Sequence, residues 1–75
     1  MNKQIETKVG SNIRKIRMSK GMTQDAFAAK LQLNGWDITR SAVAKIEVGQ
    51  RHLYPDEIIL IQRVLETTFD AILDV

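Results

Sequence analysis

The sequence predicts an all-α fold, a bundle of about five short helices. Three observations lead there. Apolar residues recur at intervals of three and four, as in Ile5, Val9, Ile13 and Ile16, the spacing that lines one face of an α-helix. Threonines stand ahead of later runs, at Thr23, Thr39 and Thr68, where a hydroxyl accepts from an otherwise unpaired first-turn N–H. Glycines, Asn34 and Pro55 separate the runs, and these residue types end or begin helices.

Each element follows in order. The first helix turns Lys3, Lys8, Arg14, Lys15 and Lys20 to water. Gly21 ends it, because glycine takes the left-handed conformation without a Cβ clash. The second runs from Gln24 to about Leu33 behind Thr23, with Asp25 near the positive end of the helix dipole. Phe27 and Leu31 stack one turn apart, and Ala28 permits a close neighbour. Asn34-Gly35 stops this helix. Thr39 caps a third, with Val43 and Ile46 inward and Gly49 at its end. Pro55 suits the first position of a fourth, where its missing N–H is no loss. Ile58, Ile61, Val64 and Leu65 form the buried stripe of that helix, and Thr68 opens a short fifth carrying Phe69, Ile72 and Leu73. The rival is a β-hairpin at Asn34-Gly35, flanked by Leu33, Trp36 and Ile38. It is disfavoured because the flanking runs are short and rich in Ala and Lys.

Composition narrows the function classes. Seventy-five residues make one domain, able to bury about 60% of its unfolded surface. With 44% hydrophobic and 27% charged residues, the chain is globular rather than disordered. It has no cysteine and one histidine, His52, so neither a metal nor another cofactor is expected. The run Ile58-Ile59-Leu60-Ile61 is too short to span a bilayer, and the first residues lack the apolar stretch of a signal peptide. A cytoplasmic protein without a membrane segment is the expectation. No Gly-rich phosphate loop, metal cluster or nucleophile with a paired base can be assembled, so the reading is not an enzyme.

The net charge of +2 hides an asymmetry. Residues 1–54 carry ten Lys/Arg against four acids, while residues 55–75 carry only Arg63 against five. A basic front and an acidic tail suit a polyanion-binding face with a separate second surface.

Taken together, Ile13-Arg14-Lys15-Ile16-Arg17, Gly21-Met22-Thr23-Gln24, Phe27-Ala28, Leu31, Val43 and Ile46-Glu47-Val48-Gly49 resemble the Cro/phage-repressor helix-turn-helix family, the XRE-like group of small regulators. The resemblance covers roughly residues 10 to 73. It implies a lambda-repressor-like DNA-binding domain with its motif at about 23–49, bound to double-stranded DNA as a homodimer on a two-fold operator. The stretch from Thr23 to Glu47 is longer than the family's compact motif, the extra length lying around Leu33-Asn34-Gly35-Trp36-Asp37. A lengthened helix 2–helix 3 connection is therefore expected. Glu66 stands where the family often has glycine, which implies a different helix end.

By the same resemblance, Arg40, Ser41 and Lys45 on the third helix point at base edges. Arg40 can donate two bonds to O6 and N7 of guanine, worth about 1–3 kcal/mol of discrimination. Gln24 takes the place of a phosphate-contacting amide at a helix N-terminus. Thr23, Gln50, Arg51 and His52 are further phosphate candidates, which position the protein without reading sequence. Arg17 and Glu47 match residues that form a structural ion pair between the first helix and the end of the third. Trp36 has two readings: it fills the gap under the lengthened turn, or it lies near the DNA backbone or a partner.

On a helical wheel Ile59 falls opposite the buried stripe of the fourth helix, between Gln62 and Arg63. With Ile72, Leu73 and Val75 in the apolar tail it is assigned to a two-fold dimer contact. The leading function is a sequence-specific transcriptional regulator, a repressor, since little length remains for an effector domain. The alternative is an antitoxin-type or anti-regulator interaction module, acting mainly through a protein partner gripped by the fourth helix and tail.

Overall fold

Four helix starts in the computed structural model, which describes residues 2–75, are set by a side-chain oxygen accepting from a backbone N–H three residues on. Asn2 caps α1 (Lys3–Ser19), Thr23 caps α2 (Gln24–Leu33), Thr39 caps α3 (Arg40–Glu47) and Thr68 caps α5 (Phe69–Ile72). Each bond satisfies one of the orphan donors of a first turn. The start of α4 (Pro55–Leu65) differs: Pro55 opens it, and Glu57 Oε1 reaches back to accept from Tyr54 N at 3.1 Å. The described residues thus form five helices and no strand. The hairpin alternative at Asn34-Gly35 does not form.

Val9 and Ile13 from α1, Phe27, Ala28 and Leu31 from α2, and Val43 and Ile46 from α3 meet in one core with Ile61, Leu65 and Ile72. α3 lies against both α1 and α2, while α4 packs on α2 and α5, and α5 on α1. Ile5 lies outside that core, 37% exposed. The helical stripe of α1 therefore starts at Glu6 and Val9, a turn later than the apolar pattern predicts. Asn12, buried in α1, donates both amide hydrogens to the tail, to the carbonyls of Ile72 at 3.0 Å and Asp74 at 2.9 Å. The tail is held on the bundle by these bonds.

Gly10 sets the approach of α1 to α3. A Cβ there would fall on the Ile46 carbonyl oxygen, with the Glu47 carbonyl carbon 3.0 Å away. These are backbone atoms, so neither can swing aside. Gly10→Ala is expected to destabilise the protein by about 1–3 kcal/mol through overpacking. A thermal midpoint equal to the wild type's would show that the two helices stand further apart.

The 34–39 connection leaves α2 through Gly35, whose φ is +91°. The chain then runs extended, with Gln32 Nε2 donating to the Ile38 carbonyl at 2.7 Å. Ile38 enters the core and Trp36 packs half-buried against it. At the end of α4, Glu66 adopts φ 51°, ψ 49°. The helix therefore ends in the same left-handed geometry that a glycine would give, not in a different one, and a Cβ is carried there at some cost in strain.

Candidate nucleic-acid interface

The short helix α3 has two unlike faces. Val43, Ile46 and Glu47 are buried, whereas Arg40, Ser41 and Lys45 are exposed. Arg40 and Ser41 occupy the first turn, where unpaired backbone N–H groups make the surroundings positive. Lys45 follows about one turn after Ser41. Arg40 Nε lies 3.8 Å from Asp25 Oδ1, with both side chains well exposed. Such a pair is weak in water, so the guanidinium is available to a stronger acceptor.

Behind this face a single carboxylate ties three helices together. Arg17 Nε donates to Glu47 Oε2 at 2.7 Å, and Nη2 donates to Oε1 at 3.1 Å. The side chains are 9% and 1% exposed. Arg17 Nη1 also donates to the Met22 carbonyl at 2.7 Å, and Gln24 Nε2 donates to Glu47 Oε1 at 3.0 Å. The end of α3 is thereby fixed to α1 and to the first turn of α2. Gln24 keeps one amide hydrogen and its place at the α2 N-terminus, both suited to an anion.

The remaining candidates flank α3. Thr23 is exposed, and its hydroxyl accepts from Ala26 N at 3.0 Å while keeping its own hydrogen to donate. Gln50 is exposed just beyond α3, its backbone N donating to the Lys45 carbonyl at 2.8 Å. Arg51 and His52 each already meet a carboxylate of the chain. Arg51 forms a bidentate pair with Glu57 at 3.1 and 3.2 Å, and its guanidinium lies 5.4 Å from the Trp36 ring centroid. His52 Nδ1 meets the buried Glu6 Oε1 at 2.8 Å. Sequence reasoning missed both carboxylates. Glu57 carried a signal, since it stands three residues after the N-cap Tyr54, the capping-box spacing. Glu6 carried none.

On α4 and the tail, Ile59 is 40%, Leu73 42% and Val75 69% exposed. Ile72 corrects the assignment of all four to a partner contact: it is fully buried and belongs to the protomer's own core. One turn of helix carries Leu73 outward and Ile72 inward. Phe69, 44% exposed, joins the outward set. Among the described residues no helix is long and apolar enough to cross a membrane, and no three His, Cys, Asp or Glu side chains lie together as metal ligands.

A capped helix whose inner end is bolted to its neighbours, and whose outer face is polar and exposed, has the arrangement of the second helix of a helix-turn-helix unit. The helix-turn-helix family profile matches residues 13–72. The chain belongs to that family, in its XRE-type branch, and is a DNA-binding transcriptional regulator.

Solved structures similar to it are controllers. The restriction-modification controller protein C.AhdI from Aeromonas hydrophila is 26% identical, with a TM-score of 0.76 over 88% of this chain and 92% of that one. A tyrosine-to-phenylalanine variant of the restriction-modification controller protein C.Esp1396I is 31% identical, with a TM-score of 0.80 over 99% of this chain and 87% of that one. The C.Esp1396I tetramer, in complex with its natural 35 base-pair operator, is similar at 31% identity and a TM-score of 0.76, over 93% and 86% of the two chains. No match was found among curated proteins.

Proposed function

We propose that this regulator binds a two-fold operator as a homodimer in the cytoplasm, with α3 of each copy in the major groove. Its work is binding rather than catalysis, and it acts as a repressor of the restriction-modification controller type. The observation that carries this reading is α3 itself, with Arg40, Ser41 and Lys45 exposed on a helix whose buried end is locked by Glu47. Arg40 and Ser41 read bases, Lys45 reads a base or braces the backbone, and Thr23, Gln24 and Gln50 take phosphates. The similarity to controllers, one of them solved on its operator, supports the class of target. The second surface is formed by Ile59, Leu73 and Val75, with Phe69 beside them and Ile72 withdrawn.

Arg40→Ala tests the base-reading role. It is expected to relax preference at one operator position at a cost of about 1–3 kcal/mol. The measurement is a comparison of affinities for duplexes substituted at each position in turn. An equal loss for every sequence would remove Arg40 from base reading and make it a phosphate ligand.

A further inference from the structure

Arg51 is held by more groups than a surface cation needs. Its Nη1 donates to Glu57 Oε1 at 3.1 Å and to the His52 carbonyl at 2.9 Å, and its Nη2 donates to Glu57 Oε2 at 3.2 Å. Trp36, brought across by the 34–39 connection, has the guanidinium carbon of Arg51 over its ring, 5.4 Å from the centroid. A guanidinium has five N–H groups in fixed directions. Three are used here: both on Nη1 and one on Nη2. The remaining two, Nε–H and the second Nη2–H, run parallel along one edge of the planar group. No acceptor among the described residues meets them, and the side chain is 31% exposed. A parallel pair of donors with that spacing matches two oxygens of a phosphate.

We propose that Arg51, already a phosphate candidate by the family resemblance, is pre-ordered to receive one backbone phosphate of the bound duplex, and that Trp36 is the positioning residue that keeps its open edge outward. This rests on the DNA-binding reading above. An arginine free to sample rotamers loses that freedom on binding. Here Glu57 and the indole have already ordered it, so less is lost when the phosphate arrives. The lengthened connection before α3 thus controls a contact made just after α3.

The test uses the full chain and a duplex selected for binding from a random pool, with affinity read by fluorescence anisotropy from about 50 to about 200 mM salt. Arg51→Ala is expected to weaken binding about tenfold and to lower the salt slope by about 0.9. Trp36→Leu removes no charge, yet is expected to reproduce most of that loss, while Trp36→Phe restores it. The double variant is expected to bind no more weakly than Arg51→Ala alone. Arg51→Lys keeps the charge without the planar edge and is expected to be as weak as Arg51→Ala. Wild-type affinity and salt slope in Trp36→Leu, whatever its thermal midpoint, would overturn the proposal. So would a double variant whose loss is the product of the two single losses. If Trp36→Leu does not fold, Arg51→Lys decides alone, and wild-type affinity there is the contrary result. A wild-type chain that enriches no duplex overturns the DNA-binding reading and this inference with it, and is seen before any substitution is made.

Discussion

Glu47→Ala is expected to lower stability by about 3–5 kcal/mol in the absence of DNA, because it strands the Arg17 guanidinium in a site with almost no access to water. The glutamate accepts two bonds from Arg17 and one from Gln24. Its loss therefore unfastens the end of α3 from both α1 and α2. In a domain of this size each kcal/mol moves the thermal midpoint by about 4–8 °C, so a fall of at least about 12 °C is expected. Against a typical stability of about 5–15 kcal/mol, that leaves a marginal protein. Arg40→Ala, on the exposed face of the same helix, is expected to stay within about 0.5 kcal/mol of the wild type. The contrast separates the buried bolt from the exposed face of α3. Thermal melts of the two variants, recorded without DNA, check it, and a Glu47→Ala curve that overlays the wild type would show the pair to be of no structural weight.

The second large effect concerns the exposed apolar side chains of α4 and the tail. Ile59→Asp places a charge among exposed apolar side chains without touching the core, since Ile59 is already 40% exposed. The variant is expected to be folded and monomeric by analytical ultracentrifugation. Operator affinity is expected to fall by about 10²- to 10⁴-fold, the advantage that linking two half-site contacts provides. Asn12 matters here too. Its two bonds to the Ile72 and Asp74 carbonyls hold the tail that carries Leu73 and Val75. A variant that remains dimeric with unchanged affinity would place the interface elsewhere.

The fold was legible wherever local chemistry decides it. Thr23, Thr39 and Thr68 announce helix starts because a hydroxyl satisfies a first-turn donor, and Pro55 announces one because it has no donor to lose. The stripes of α2, α3 and α4 follow from periodicity alone. Contacts between residues distant in sequence were less legible. The resemblance made Arg51 and His52 phosphate candidates, but their partners Glu57 and Glu6 are supplied by tertiary approach. Trp36 was left between a buried and an outward reading. The structure packs it half-buried against the core and places its ring 5.4 Å from the Arg51 guanidinium, a pairing that periodicity does not encode. Ile72 and Leu73 are neighbours of equal hydrophobicity, and only the way α5 docks on α1 sends one inward and the other out. Glu66 shows that the left-handed end of α4 is imposed by the chain's path rather than by the residue.

Selection of bound duplexes from a random pool by the full wild-type chain reads out two-fold operator binding without any substitution. A palindromic product is expected, with two half-sites whose centres lie about 34 Å apart, one turn of DNA, and a guanine within each half-site opposite Arg40. Enrichment of no sequence, or of a single unpaired site bound by a monomer, would contradict it.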